Sequence, residues 1–220
     1  MRTKSGRRRA ARPGKSDRAE AQTRVQISVE AARIMAEEGV HNFHSAKRKA
    51  AARLNLAETR DLPSNQEIAS ALRQHLQLFH ADLPQTLQRL RRLALEAMRF
   101  LAQFEPRLVG PVLTGTVTKF SDIQLHLSAQ PPEEVAFFLQ GHGISYEEAD
   151  KRLRFGGNRF ITLPVFRFIA DETAVELCVF TPKNMREPPL SPMDGKPMRR
   201  APIKEVEVLT KTPYLKFNTK

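Results

Sequence analysis

Apolar and polar residues alternate most strictly over 122–127. Asp122, Gln124 and His126 fall on one side and Ile123, Leu125 and Leu127 on the other. A period of two belongs to a strand with one buried face. The pattern therefore predicts a strand whose apolar side rests on a core and whose polar side lines a groove. The wider stretch 108–127 reads as a strand end, a glycine turn at Gly110-Pro111, a loop, and then this strand.

Upstream the period is three to four. A helix is expected over 25–38, with Val25, Ile27, Ala31, Ile34 and Met35 as its stripe and Gly39 as its stop. A second, basic helix over 46–54 takes Ser45 as its cap, and a third over 66–79 takes Ser64. Ile68, Leu72, Leu76 and Phe79 share one face of the third. The longest pattern runs from 83 to 104. It buries Leu87, Leu90, Leu93, Ala94, Met98, Leu101 and Phe104, and places Arg89, Arg91 and Arg92 largely opposite.

Downstream, Pro131-Pro132-Glu133-Glu134 opens a helix with Val135, Phe137, Phe138 and Leu139 on its buried side, ended by Gly141-His142-Gly143. Strands over 152–155, 159–168 and 174–180 form an antiparallel meander, with turns at Gly156-Gly157-Asn158 and Asp171-Glu172-Thr173. Pro164 in the middle strand marks an edge or a bulge. Glu176 and Cys178 share a face of the last strand, and Arg154, Arg159 and Arg167 are expected to add positive potential near the groove. The proline-rich stretch 181–202 is an extended, wrapping segment, followed by a short helix or strand over 204–209.

The expected fold is α+β: a mixed sheet with flanking helices, preceded by a small helical segment. The divisions are a disordered basic arm (1–20), the helical segment (21–80), the sheet domain (81–181) and an extended proline-rich tail (182–220).

The chain has 220 residues and a net charge of +12 with pI ≈ 10.3, so an anionic partner is expected. Part of that charge is local: Arg2, Lys4, Arg7, Arg8, Arg9, Arg12, Lys15 and Arg18 face only Asp17 in the first 18 residues. Arg7, Arg8 and Arg9, with Lys47, Arg48 and Lys49 of the second helix, are the candidates for contact with RNA or DNA. The single Cys178 excludes an intrachain disulfide and reads as a small core residue in a reducing cytoplasm. No apolar run is long enough for a bilayer, and the basic start lacks the apolar stretch of a secretory signal.

Residues 108–127 resemble the signature of the polymerase-β-like nucleotidyltransferases. Gly110 matches the turn glycine, Gly115-Thr116 the small pair of the spacer, and Ser121-Asp122-Ile123 the start of the acidic strand. The resemblance implies magnesium as cofactor and a nucleoside triphosphate as substrate. It implies that Asp122 and Glu176 are the catalytic, metal-holding carboxylates. It also implies that Gly110, Pro111, Gly115, Thr116, Ser121 and Gln124 are the nucleotide-binding positions. Two residues depart from the pattern. Pro111 stands at the serine position, with neither N–H nor hydroxyl for a phosphate, and Gln124 stands at that of the second carboxylate, a poorer ligand for a hard cation. Catalysis is then weakened or lost, and a non-catalytic nucleotide- or nucleic-acid-binding regulator is the alternative. Residues 31–43 are also similar to the first helix and turn of a TetR-type DNA-binding head. No short reading helix follows, so the segment reads as a helical cap. Base, acceptor and oligomeric state are open.

Overall fold

The computed structural model describes residues 15–56, 61–79 and 82–211. Three helices come first: α1 (Lys15–Glu38), α2 (Phe43–Arg53) and α3 (Asn65–Phe79). Next, α4 (Leu83–Phe100) leads into β1 (Arg107–Val109), α5 (Gly110–Thr114) and β2 (Ile123–Ser128). Then come α6 (Glu133–Gly141), β3 (Glu147–Arg154), β4 (Phe160–Ala170), β5 (Thr173–Phe180), α7 (Pro182–Met185) and α8 (Ile203–Lys211). The strands form one mixed sheet in the order β1-β2-β5-β4-β3. β2 and β5 run parallel and the other neighbours antiparallel. The expected α+β layout, a mixed sheet flanked by helices, is the one found.

The alternation read from β2 sets the layers. Ile123, Leu125 and Leu127 join Val175, Leu177, Val179, Phe166 and Phe168 on one face, all buried. Leu87, Leu90 and Met98 of α4, Val135 and Leu139 of α6, and Ile27, Ile34, Ile68 and Leu76 of the helical head formed by α1, α2 and α3 belong to the same continuous cluster. Each such side chain contributes roughly 1.5–3 kcal/mol on burial. The head is thus one with the sheet's core.

The other sheet face is divided. Its far half carries a small second core of Phe155, Leu163, Val165, Cys178 and Phe180. A strap, 186–202, closes over it. Leu190 N donates to Arg154 O (2.6 Å), and Leu108 and Ala201 exchange backbone bonds of 2.9 Å each. Arg200 lies over the Phe180 ring, 5.0 Å from its centroid, and donates to the carbonyls of Met185 (2.6 Å) and Glu187 (2.7 Å). The expected extended tail is therefore extended only as far as this strap. α8 then packs on α4, with Arg99 and Glu207 paired at 2.7 Å.

Several local expectations are corrected. α1 is already helical at Lys15, and Val25 is exposed because it falls outside the stripe of Ile27, Ala31 and Ile34. The cap of α2 is Asn42, whose Oδ1 accepts from the N–H groups of His44 (2.8 Å) and Ser45 (3.1 Å), so the helix starts earlier than Ser45. Ser64 does cap α3, reciprocally with Glu67. Phe79 at its end and Phe137 of α6 are exposed. Arg91 is buried, its Nε donating to Val112 O (3.3 Å), so it ties α4 to α5. α4 ends at Phe100 and a 3-10 turn, Ala102–Phe104, completes the approach to Pro106. β3 begins at Glu147, five residues before the expected strand, because its first half is charged and exposed on both sides. Pro164 sits one residue outside the β4–β5 ladder, which starts at Val165, so β4 is locally an edge there.

Candidate functional site

The polar half of the second face is where the sequence-derived candidates meet. The register pairs Gln124 of β2 with Glu176 of β5, and Glu176 with Arg167 of β4. Asp122 immediately precedes β2, and by alternation it shares this face with Gln124 and Glu176. The two carboxylates therefore flank Gln124 on one surface, across adjacent strands.

Gly110 is positioned by its backbone. Its φ of +71° is left-handed, and Gln124 Oε1 stands 2.5 Å from where a Cβ would be. The backbone favours glycine, and any side chain here would also have to push the Gln124 amide aside. Pro111 follows inside the first turn of α5, as its fixed φ allows. Gly115 ends that helix at φ +80°, and its N–H donates to Pro111 O (2.8 Å), as does that of Thr116 (3.1 Å). Thr116 Oγ1 lies 2.9 Å from Thr114 Oγ1. Ser121 is buried and its Oγ accepts from Thr118 N (2.8 Å). Gly115, Thr116 and Ser121 thus close the turns that aim Asp122.

Asp122 itself is half-buried, and among the described residues nothing hydrogen-bonds to its carboxylate. Burial raises its pKa above the ordinary carboxylate value. The charge of Glu176 pushes the same way, while His41, Arg167 and Lys151 pull it back. His41 belongs to the α1–α2 loop, where the left-handed Gly39 lets the Phe120 ring come within 3.0 Å of its Cβ position. The head therefore closes against the loop that carries Asp122.

Glu176 is different. Its side chain is 6% exposed, beneath Lys151 (37%) and Arg167 (50%). Lys151 Nζ donates to Oε1 at 2.5 Å, and Arg167 donates from Nη2 and Nε to Oε2 at 2.6 and 3.1 Å. Burial raises its pKa, but the two cations outweigh that and the net shift is downward. Arg167 was legible as local positive charge. Lys151 was not, although extending the alternation back from Leu153 puts it on this face. Arg154 lies on the opposite face by register, and Arg159 is paired with Glu187.

His126, expected to line the groove, is buried beneath the strap, tilted against Phe180 with ring centroids 4.6 Å apart. Burial, with Arg200 and Lys151 nearby, pushes its pKa down to about 3, so it is neutral. Cys178 is core, as expected. Burial pushes its thiol up to about 12.

Beyond Asp122 opens a cleft of about 430 Å³ between the start of α4, the 117–122 loop and the β4–β5 turn. Thr86, Arg89, Lys119, Ser121, Asp122 and Glu172 line it. Only Ser121 and Asp122 of the expected site reach it.

Of the residues expected to contact nucleic acid, Lys47, Arg48 and Lys49 follow one another on α2. Lys49 is paired with Glu38 at 2.6 Å, Lys47 is half-buried near Glu67, and Arg48 is exposed. Arg7, Arg8 and Arg9 lie outside the described residues.

Among the described residues, no group of three or more His, Cys, Asp or Glu side chains could hold a metal ion. Asp122, an orphaned half-buried carboxylate, fits a single hard cation. The donor set does not fit two, because Glu176 is engaged on both oxygens and Gln124 is neutral. The sequence matches no protein-family model and no curated protein.

Proposed function

We propose that this chain is a divergent polymerase-β-like nucleotidyltransferase that binds a magnesium nucleoside triphosphate at Asp122, with transfer weakened by the neutral Gln124. The observation that supports this reading is the unpartnered, half-buried carboxylate of Asp122, beside the Gly110 bend and on the sheet face of Glu176. The order of the mixed sheet, with β1 antiparallel and β5 parallel to β2, is compatible with such a layout.

When bound, magnesium supplies charge neutralisation on the phosphate oxygens. Asp122 would hold the ion, with the amide oxygen of Gln124 as a weaker second donor. Gly110, lacking a Cβ, leaves room for the Gln124 amide at the bend, beside the site. Pro111 offers no donor, so the phosphates lose one contact at the start of α5. Glu176, engaged by two cations, and His126, buried under the strap, are not placed to take a proton from an acceptor hydroxyl. Weak transfer follows from that.

The excess of positive charge favours a polyanionic acceptor, RNA or DNA, engaged through the arm that carries Arg7, Arg8 and Arg9. The lone buried cysteine suits a cytoplasmic setting. No helix among the described residues is long and apolar enough to cross a membrane.

The test is incubation with labelled nucleoside triphosphates, Mg²⁺ or Mn²⁺, and cell RNA or protein extract, alongside thermal-shift binding. Expected are metal-dependent stabilisation by a triphosphate and slow label transfer that Asp122→Asn abolishes. No stabilisation by any triphosphate, or equal transfer by the variant, would count against the reading. Loss of catalysis altogether is a second reading, favoured by the engagement of Glu176. It predicts the same stabilisation with no labelled product.

A further inference from the structure

We infer that Lys151 and Arg167 are the residues that receive the phosphates, and that Glu176 is the buried counterion that holds them in place, not a ligand of the cation. The inference rests on the nucleotide reading above and changes the role of one carboxylate within it.

The layering carries the argument. Glu176 is the floor, and Lys151 and Arg167 form the lid between it and solvent. A metal ion approaching Glu176 would have to displace an ammonium from Oε1 and a guanidinium from Oε2. A phosphate approaching from solvent meets those cations first. Neither is used up. Glu176 takes one bond from Lys151, and the Nε and Nη2 of Arg167, leaving Arg167 Nη1 and further ammonium protons directed to no described residue. Lys151 reaches Glu176 across β4, so it spans the centre of the face. A buried carboxylate that pins a lysine and an arginine removes much of the side-chain entropy they would otherwise lose on binding an anion.

Charge balance then selects the ligand. Asp122, Glu176 and Glu147, which the register sets opposite Arg167, outnumber Lys151 and Arg167 by one charge, so a bare polyphosphate meets a net negative site with an unpaired carboxylate facing it. A divalent cation on Asp122 turns that net charge positive. The site therefore favours a polyphosphate chelated to a divalent cation over free phosphate.

The test uses inorganic tripolyphosphate with Mg²⁺ by calorimetry, and Mn²⁺ alone by electron paramagnetic resonance. Lys151→Met is expected to weaken tripolyphosphate binding about tenfold or more, as is Arg167→Met. Because either variant unbalances a buried carboxylate, the pair Lys151→Met with Glu176→Gln is measured beside them and is expected to show the same loss. Glu176→Gln is expected to bind Mn²⁺ within about twofold of the unaltered chain, whereas Asp122→Asn loses about tenfold or more. Mn²⁺ loss in Glu176→Gln as deep as in Asp122→Asn, or tripolyphosphate binding undiminished in the double variant, would overturn the inference. If the unaltered chain binds tripolyphosphate but prefers no nucleoside triphosphate over it, the nucleotide reading fails and this assignment stands. If it binds neither, both fail.

Discussion

Asp122 and Glu176 titrate in opposite senses, and that separates their contributions to stability from their contributions to binding. Burial lifts the pKa of Asp122 above its ordinary value of 3.8. The stabilisation linked to its protonated form is complete below that value and is lost as pH rises through the raised one. Near neutral pH the ionised side chain is therefore a cost to the fold. Asp122→Asn is expected to raise Tm at pH 7 while weakening Mg²⁺-triphosphate binding about tenfold or more. A fall in Tm would mean that Asp122 is a structural partner instead. For Glu176 the balance reverses. Burial opposes ionisation, but Lys151 and Arg167 bring the pKa below 4.5. Its contribution is complete above that value and is lost as pH falls through the lowered one. Replacing it with Gln should flatten the acid limb of a Tm–pH curve below 4.5 and leave the neutral region shifted nearly uniformly. Removing both cations with Lys151→Met and Arg167→Met leaves a buried unpaired carboxylate, and urea unfolding should report a loss of about 3–5 kcal/mol.

At the scale of elements, the bend between β1 and α5 makes the sharpest demand on sequence. Gly110→Ala forces a side chain into left-handed backbone, roughly 1–2 kcal/mol, and also meets the Gln124 amide. Adding Gln124→Ala should recover the steric part and not the backbone part. A urea midpoint for the double variant equal to that of the unaltered chain would contradict this. β2 and this bend were legible because a period of two and a Gly-Pro pair are local signals. The other half of the site was not. In β3, Glu147, Glu148, Ala149 and Asp150 are all exposed, so nothing in their pattern distinguishes strand from loop, and Lys151 was lost with them. Arg91 was read as outward because its charge hid a place on the buried stripe of α4, where the carbonyl of Val112 receives it. In α2 the earlier cap, Asn42, lay outside the periodic run, and only its two accepted N–H bonds reveal it.

For the whole molecule, the strap decides which half of the polar face is a site and which is core. It crosses from the end of β3 to the edge of β1 and shuts His126 and Cys178 away, while Asp122, Lys151 and Arg167 stay open. The sequence could show that 181–202 is extended, but not what it covers, because that depends on a contact between Leu108 and Ala201, far apart in the chain. Arg200 is the fastener: its charged guanidinium donates to the carbonyls of Met185, at the end of α7, and of Glu187, and lies over Phe180. Hydrogen bonds from a charged group are each worth about 1.5–3 kcal/mol. Cys178 lies beneath, and its raised pKa leaves almost no thiolate at pH 8. A thiol reagent therefore reads local opening of the strap. Arg200→Ala removes both bonds and should speed native-state labelling of Cys178 by at least about tenfold to a hundredfold, the factor that one of them implies. Far-UV circular dichroism should stay unchanged, and the affinity for Mg²⁺-triphosphate should hold, because the side chains of the open half stand on β2, β3, β4 and β5 and none comes from the strap. If labelling and nucleotide affinity changed together, the strap would be part of the site, and the division of the face into a core half and a binding half would be wrong.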